Sequence, residues 1–227
     1  VAEACRQRGN HIVTCQTEHR SVLDPCLVLE KSGFRTTRLG VGRDGLLDVD
    51  ELASAICSDT ILVSIMVANN EIGVLQPVED ICAVARERGV LVHADAAQAC
   101  GKIAVDVERL GVHLLSLSAH KMYGPKGIGA LFVRQHCPGL RVAPRIHGGG
   151  HERGLRSGTL NVPGIVGFGA ACAIAQDEMP AESAILRALR DLLGRLLHEQ
   201  VPQIAVNGSM VHRLPGNLNV SFHGLEG

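Results

Sequence analysis

A lysine follows an apolar run in Ser118-Ala119-His120-Lys121-Met122-Tyr123-Gly124-Pro125, and an aspartate is similarly placed upstream in Asp95-Ala96-Ala97-Gln98. An amine can form a Schiff base with an aldehyde, and a carboxylate can keep a pyridinium nitrogen protonated. Ser118 and His120, just before the lysine, are donors suited to a phosphate or a ring hydroxyl. Together these are the groups that pyridoxal 5'-phosphate (PLP) chemistry requires, and amino acids are the natural substrates of such chemistry. Asp95 directly follows the strand-like run 90–94. In an open parallel sheet, ligands sit at the carboxyl ends of strands. Gln98 falls on the same side as Asp95 if a helical turn follows.

Other segments occupy equivalent positions. Asn69-Asn70-Glu71-Ile72-Gly73 follows the apolar run 60–67, and Thr17-Glu18-His19 follows the run 11–15. Taken singly, the asparagines read as turn formers and the histidine as a structural or solvated residue. An imidazole at such a point can also stack on an aromatic ring and exchange protons near neutral pH. The segment from His147 to Thr159 is rich in glycine and contains Arg153 and Arg156. Its plain reading is a flexible connector; its functional one is an anion site of backbone amides, Thr159 and arginines. There is no G-x-S-x-G elbow to support an esterase, no G-x-G-x-x-G after a strand, and no Walker lysine.

These residues need a scaffold, and the pattern supplies one. Strands are expected at 11–15, 34–39, 60–67, 90–94, 113–117 and 128–133, with helices at 21–32, 48–57 and 78–88. Strand and helix in alternation predict an α/β fold with a mostly parallel sheet covered on both faces. Farther on, 162–178 reads as a helix stopped near Pro180, 181–200 as a second helix, and 218–222 as a strand. A change of domain is therefore expected near Met179-Pro180, giving a large domain over 1–179 and the start of a smaller one over 180–227.

Bulk properties narrow the classes. The 227 residues carry a net charge of -1 and 2% aromatics without tryptophan, which argues against direct nucleic-acid binding. The eight cysteines include no C-x-x-C pair, so no zinc ribbon or redox dithiol, and no metal site, is expected. Reduced thiols in a soluble, cytoplasmic protein fit best. The uncharged stretch 157–176 contains Asn161, Pro163 and several glycines and makes a poor membrane span, so no membrane partner is expected. Both ends read as interrupted elements, so a fragment of a longer protein is expected.

With Asn70, Asp95, Gln98, Ser118, His120, Lys121 and Arg156-Ser157-Gly158-Thr159 in this order, the chain resembles the class V aminotransferase superfamily. Within it, Thr17-Glu18-His19, Ala68 to Gly73, Asp95 to Gln98 and Ser118 to Gly129 resemble the cysteine desulfurases of iron–sulfur cluster assembly. The resemblance implies the type I fold of PLP-dependent transferases, with a seven-stranded type of sheet plus part of a smaller α+β domain. It implies that Lys121 carries the cofactor and moves protons at the substrate α-carbon, and that His19 stacks on the pyridine ring and shares in proton transfer. Asp95 would pair with the ring nitrogen, Asn70 and Gln98 with the phenolic oxygen, and Ser118 and His120 with the phosphate. Thr159 would reach the phosphate of a neighbouring subunit, which makes a homodimer the expected assembly.

The implied reaction removes sulfur from L-cysteine, leaving L-alanine and an enzyme persulfide for an iron–sulfur scaffold or another sulfur acceptor. The family's nucleophilic cysteine is expected beyond Gly227, so this chain alone is expected not to transfer sulfur. The alternatives are another class V enzyme, such as a selenocysteine lyase or transaminase, and a non-catalytic truncated relative.

Overall fold

The computed structural model describes residues 1–225. Its centre is a six-stranded sheet in the order β2-β1-β3-β4-β5-β6. The strands are β1 (His11–Cys15), β2 (Arg35–Leu39), β3 (Thr60–Met66), β4 (Leu91–Asp95), β5 (Leu114–Ser118) and β6 (Gly129–Val133). The first five are mutually parallel, whereas β6 runs antiparallel to β5. All five residues of β1 are buried, as are six of the seven in β3. Strands buried on both faces favour apolar side chains at successive positions, as in Ile12-Val13 and Ile61-Leu62-Val63, and the buried Thr14 hydroxyl is satisfied by the carbonyl of Ser64 at 2.7 Å.

Those side chains separate into two cores. One packs Val13, Val63, Ile65, Val92 and Leu115 with Ile81, Cys82 and Ala85, and the other packs Ile12, Ile61 and Leu91 with Cys5 and Phe34. Helices α1 (Arg20–Lys31), α2 (Val49–Ala55), α3 (Val78–Glu87) and α4 (Val107–Leu110) alternate with the strands. Local chemistry sets their ends. The Asp48 carboxylate accepts hydrogen bonds from the backbone N–H groups of Asp50 and Glu51, and Asp106 does the same for Glu108 and Arg109.

Helix α5 runs without interruption from Val162 to Gln200. This corrects the expectation of two helices broken at Pro180. Proline removes one N–H from the ladder, but Pro180 and Gln176, whose carbonyl loses its partner, are both exposed, so the freed oxygen is open to solvent. A small antiparallel pair, β7 (Ile204–Val206) with β8 (Val220–Phe222), follows. The sheet thus has six strands among the described residues, where the resemblance implied seven. No helix among them is long and apolar enough to cross a membrane.

Candidate functional site

The parallel order puts the carboxyl ends of β1, β3, β4 and β5 along one edge of the sheet, and each is followed by a loop carrying polar residues. Register aligns these ends closely: Met66 of β3 pairs with Asp95 of β4, and Asp95 pairs with Ser116 of β5. The chain reverses its order between β1 and β3, and such a switch point opens a crevice.

A cleft of about 350 Å³ lies at this edge, lined by Lys121, Gln98 and Asn70 among others. Lys121 stands in a short 3-10 helix, Ala119–Met122, anchored where Ala119 and Met122 pack against Phe168 of α5. Tyr123 closes that turn with φ 62, and the N–H of Gly124 returns to the carbonyl of Ala119 at 2.9 Å. The lysine amine is thereby left exposed on a rigid turn. Gln98 follows Asp95 through a turn in which the N–H groups of Ala99 and Cys100 both bond the carbonyl of Ala96. Its Oε1 accepts a hydrogen bond from Lys102 Nζ at 2.5 Å, which leaves its Nε2 donors for the cleft.

The two asparagines divide their labour. Asn69 is buried; its Oδ1 accepts from the N–H groups of Glu71 and Ile72 at 2.9 Å, and its Nδ2 donates to the carbonyl of Thr17 at 3.0 Å. It therefore builds the loop after β3 and ties it to the loop after β1, and this leaves Asn70 exposed on the cleft. Asp95 ends β4, and its Oδ1 accepts from the N–H of Ala97 at 2.9 Å. Ser118 ends β5, with its Oγ 2.9 Å from Nδ1 of His120. Asp95, Ser118 and His120 adjoin the cleft through the chain segments that line it, without being among the residues on its wall.

His19 and Thr159 are placed differently. His19 caps α1, its Nδ1 accepting from the N–H of Ser21 at 3.2 Å, and it does not line the cleft. Thr159 is exposed beside the start of α5 and also lies off the cleft wall.

Several participants escape the sequence reading. Lys102 shares the cleft with Lys121, and burial, with the Lys121 charge second, lowers its pKa. From the far wall come Glu182, Ser183 and Leu186 of α5 and the segment Leu214 to Asn217. Glu18 is only 5% exposed; its Oε1 accepts from the N–H of Met66, while its Oε2 has no partner among the described residues. Burial pushes its carboxyl up to about 8, opposed by the Met66 hydrogen bond and reinforced by the charge of Asp95. At neutral pH Glu18 is therefore largely protonated. The signal in the sequence was an acid three residues after a strand-like run, beside His19.

Comparison with known proteins identifies the family. The chain is 54% identical over 227 residues to "Cysteine desulfurase IscS" of Anaeromyxobacter sp. (strain Fw109-5), covering 100% of this chain and 56% of that protein. It is 52% identical over 227 residues to the protein of the same name from Neisseria meningitidis serogroup A / serotype 4A (strain DSM 15465 / Z2491), again covering 100% and 56%. The chain thus spans little more than half the length of these relatives. Among solved structures, a "NifS-like protein" superposes with a TM-score of 0.92 at 40% identity, covering 99% of this chain and 60% of that one. DndA from Streptomyces lividans gives 0.88 at 36%, covering 98% and 62%. The family model described as "Aminotransferase class-V" matches residues 1–227. From end to end, then, this chain belongs to the class V aminotransferase family.

Proposed function

We propose that this chain is the PLP-binding part of a cysteine desulfurase, acting on L-cysteine to give L-alanine and sulfur bound as an enzyme persulfide. The observation that carries this reading is the convergence of Lys121, Gln98 and Asn70 on one cleft at the carboxyl edge of a parallel sheet. The donor set fits the cofactor: an exposed amine, two amides, a carboxylate at the adjoining strand end, and a hydroxyl–imidazole pair. When bound, PLP supplies an electron sink for the pair released at the substrate α-carbon.

Each residue then has a task set by its chemistry. Lys121 would anchor the cofactor through Nζ and carry a proton to and from the α-carbon. Asp95 would hold the ring nitrogen protonated. Gln98, its Oε1 engaged by Lys102, would present Nε2 to the phenolic oxygen beside Asn70. Ser118 and His120, already in contact, would bind the phosphate. His19 would leave its capping bond to stack on the ring and share in proton transfer. Thr159, exposed and off this cleft, would reach the phosphate of a second subunit in a homodimer.

No cysteine is among the described residues that line the cleft. Cys100 follows Gln98 closely, but burial pushes its thiol up to about 11, which keeps it protonated and inert. We therefore assign the persulfide to a cysteine outside these 227 residues. An iron–sulfur scaffold or another acceptor would receive the sulfur, in the cytoplasm. The division into domains at 1–179 and 180–227 is supported by the separate β7–β8 sheet, although α5 crosses that boundary.

The test is cofactor loading. Added PLP should give an imine absorption band, and borohydride should fix the cofactor on the peptide containing Lys121. Lys121→Ala should lose both signals. No band, or one that survives in Lys121→Ala, would end the reading. Loading without any sulfur release when the longer protein is supplied with L-cysteine would instead favour another activity of the same family.

A further inference from the structure

We infer that the amino-terminal edge of the sheet holds a second site, for a zinc-class divalent cation, built from His11 Nδ1, Cys57 Sγ and one carboxylate oxygen of Asp59. These ligand atoms lie within 4.8 Å of one another. Sγ of Cys57 stands 3.2 Å from Nδ1 of His11 and 3.1 Å from Oδ1 of Asp59. Ligands around a tetrahedral zinc, at bond lengths of about 2.0–2.3 Å, are separated by about 3.5 Å. The two edges at Sγ would open by a few tenths of an ångström to form the cage, while the edge from His11 to Asp59, within 4.8 Å, would settle toward the same separation through the turn that carries Asp59. Nitrogen, thiolate and carboxylate together select zinc over magnesium or calcium, whose ligands are oxygen alone.

The fold brings these groups together from separate segments. His11, Arg35 and Thr60 open β1, β2 and β3 side by side, in register. Cys57 and Asp59 lie in the turn between α2 and β3. Metal sites depend on partners behind the ligands, and these are already present. His11 is fully buried, with Nε2 2.9 Å from Thr37 Oγ1. Donation of Nε2–H to that hydroxyl leaves the Nδ1 lone pair facing Cys57. One Arg35 guanidinium nitrogen donates to both oxygens of Asp59, at 3.0 Å to Oδ1 and 2.9 Å to Oδ2, so metal binding at Oδ1 would keep only the Oδ2 bond.

Two groups compete for the position. Thr60 Oγ1 is 2.7 Å from Nδ1 and 3.3 Å from Sγ, and it also accepts from the N–H of Cys57 at 2.9 Å. Binding would keep its bond to that N–H and turn its hydroxyl proton away from Nδ1. Arg35 lies 3.5 Å from Sγ, and its charge opposes a cation. Its ion pair with Asp59 is exposed to water on both sides, so the opposition is screened. A thiolate and a carboxylate balance the two positive charges, and Cys57 is exposed, so water can fill the fourth position.

This site stands at the opposite end of β1 from the lysine cleft, a strand of five residues at about 3.3 Å each. Cofactor loading should therefore be indifferent to it. Titration of the PLP-loaded protein with Co²⁺ should give a thiolate charge-transfer band in difference spectra, and Zn²⁺ should displace it. Cys57→Ser should abolish the band, whereas Cys172→Ser, at another exposed cysteine, should retain it. By chelator competition, Asp59→Asn should weaken Zn²⁺ binding at least tenfold, and Thr37→Val about 10–100-fold. Zn²⁺ should also raise the Tm of the parent but not of Cys57→Ser. A band that persists in Cys57→Ser, or zinc affinity unchanged in both Cys57→Ser and Asp59→Asn, would overturn the site.

Discussion

Glu18 puts a proton where the sequence shows only a negative charge. Its carboxyl stands at about 8 in the folded chain against an ordinary 4.5, and burial is the main cause. A folded pKa above the unfolded one means the folded state holds the proton longer. Its stabilising effect is therefore complete below about pH 4.5 and is lost as pH rises toward 8. At about 1.4 kcal/mol per unit, the shift sets a ceiling of about 4–5 kcal/mol. Buried histidines work in the other direction: His11 and His93 have lowered pKa values, mainly from burial, so their effect favours folding as pH rises. The difference between parent and Glu18→Gln isolates the acid. Urea midpoints measured at pH 5 and pH 8 should fall more for the parent than for Glu18→Gln. Equal shifts would mean that Glu18 ionises freely.

Residue types announced some of this site and concealed the rest. Lys121, Gln98 and Asn70 were legible as cleft residues because each follows a strand, where side chains are delivered to one edge. Lys102 was not, since a lysine after Cys100-Gly101 has no sequence mark that sets it apart from a surface cation. His11, Cys57 and Asp59 were invisible for a different reason. Spacing rules detect ligands within one segment, whereas these meet only through the alignment of strand starts.

Elements were read more readily than their ends. The six strands of the large sheet were foreseen because burial on both faces favours apolar runs, and observed limits differ by only a residue or so from the expected ones. The short β7 was missed, having only three residues. Helix α5 was misread because proline in a helix usually marks a break, yet Pro180 lies on an exposed face where the freed carbonyl is open to solvent. Loops are held by contacts distant in sequence, and Gly73 shows how. It has φ 68, its carbonyl accepts from the N–H of Leu214 at 2.9 Å, and an added Cβ would collide with the Asn217 side chain. Asn217 lines the cleft and also donates to the carbonyl of Glu71 at 3.0 Å. Gly73→Ala should therefore cost about 1–3 kcal/mol in denaturant unfolding. Gly89 also has positive φ, 65, but has open space around its Cα. Gly89→Ala should cost about 1 kcal/mol or less, from backbone conformation alone. Equal losses would show that the contact with Asn217 contributes nothing.

For the whole molecule, the face of α5 decides what assembly is possible. Val162, Ile165, Val166 and Ile174 are 41–65% exposed along its first half, and Leu160 precedes them at 38%. An apolar stripe of this kind is a surface that a second copy can cover. Thr159 lies at the start of the same stripe, and its proposed contact with a partner's phosphate requires the partner to pack there. The two proposed features, dimerisation and a shared phosphate, thus depend on one surface. Val166→Glu places a charge in the centre of that surface and should shift the protein toward monomer in sedimentation velocity. It should also weaken PLP binding several-fold, since the Thr159 contact is lost with the partner. Thr159→Ala should weaken PLP binding while leaving the dimer intact. If Val166→Glu yields monomers that bind PLP as tightly as the parent, each cleft is complete within its own chain, and Thr159 has no part in holding the cofactor.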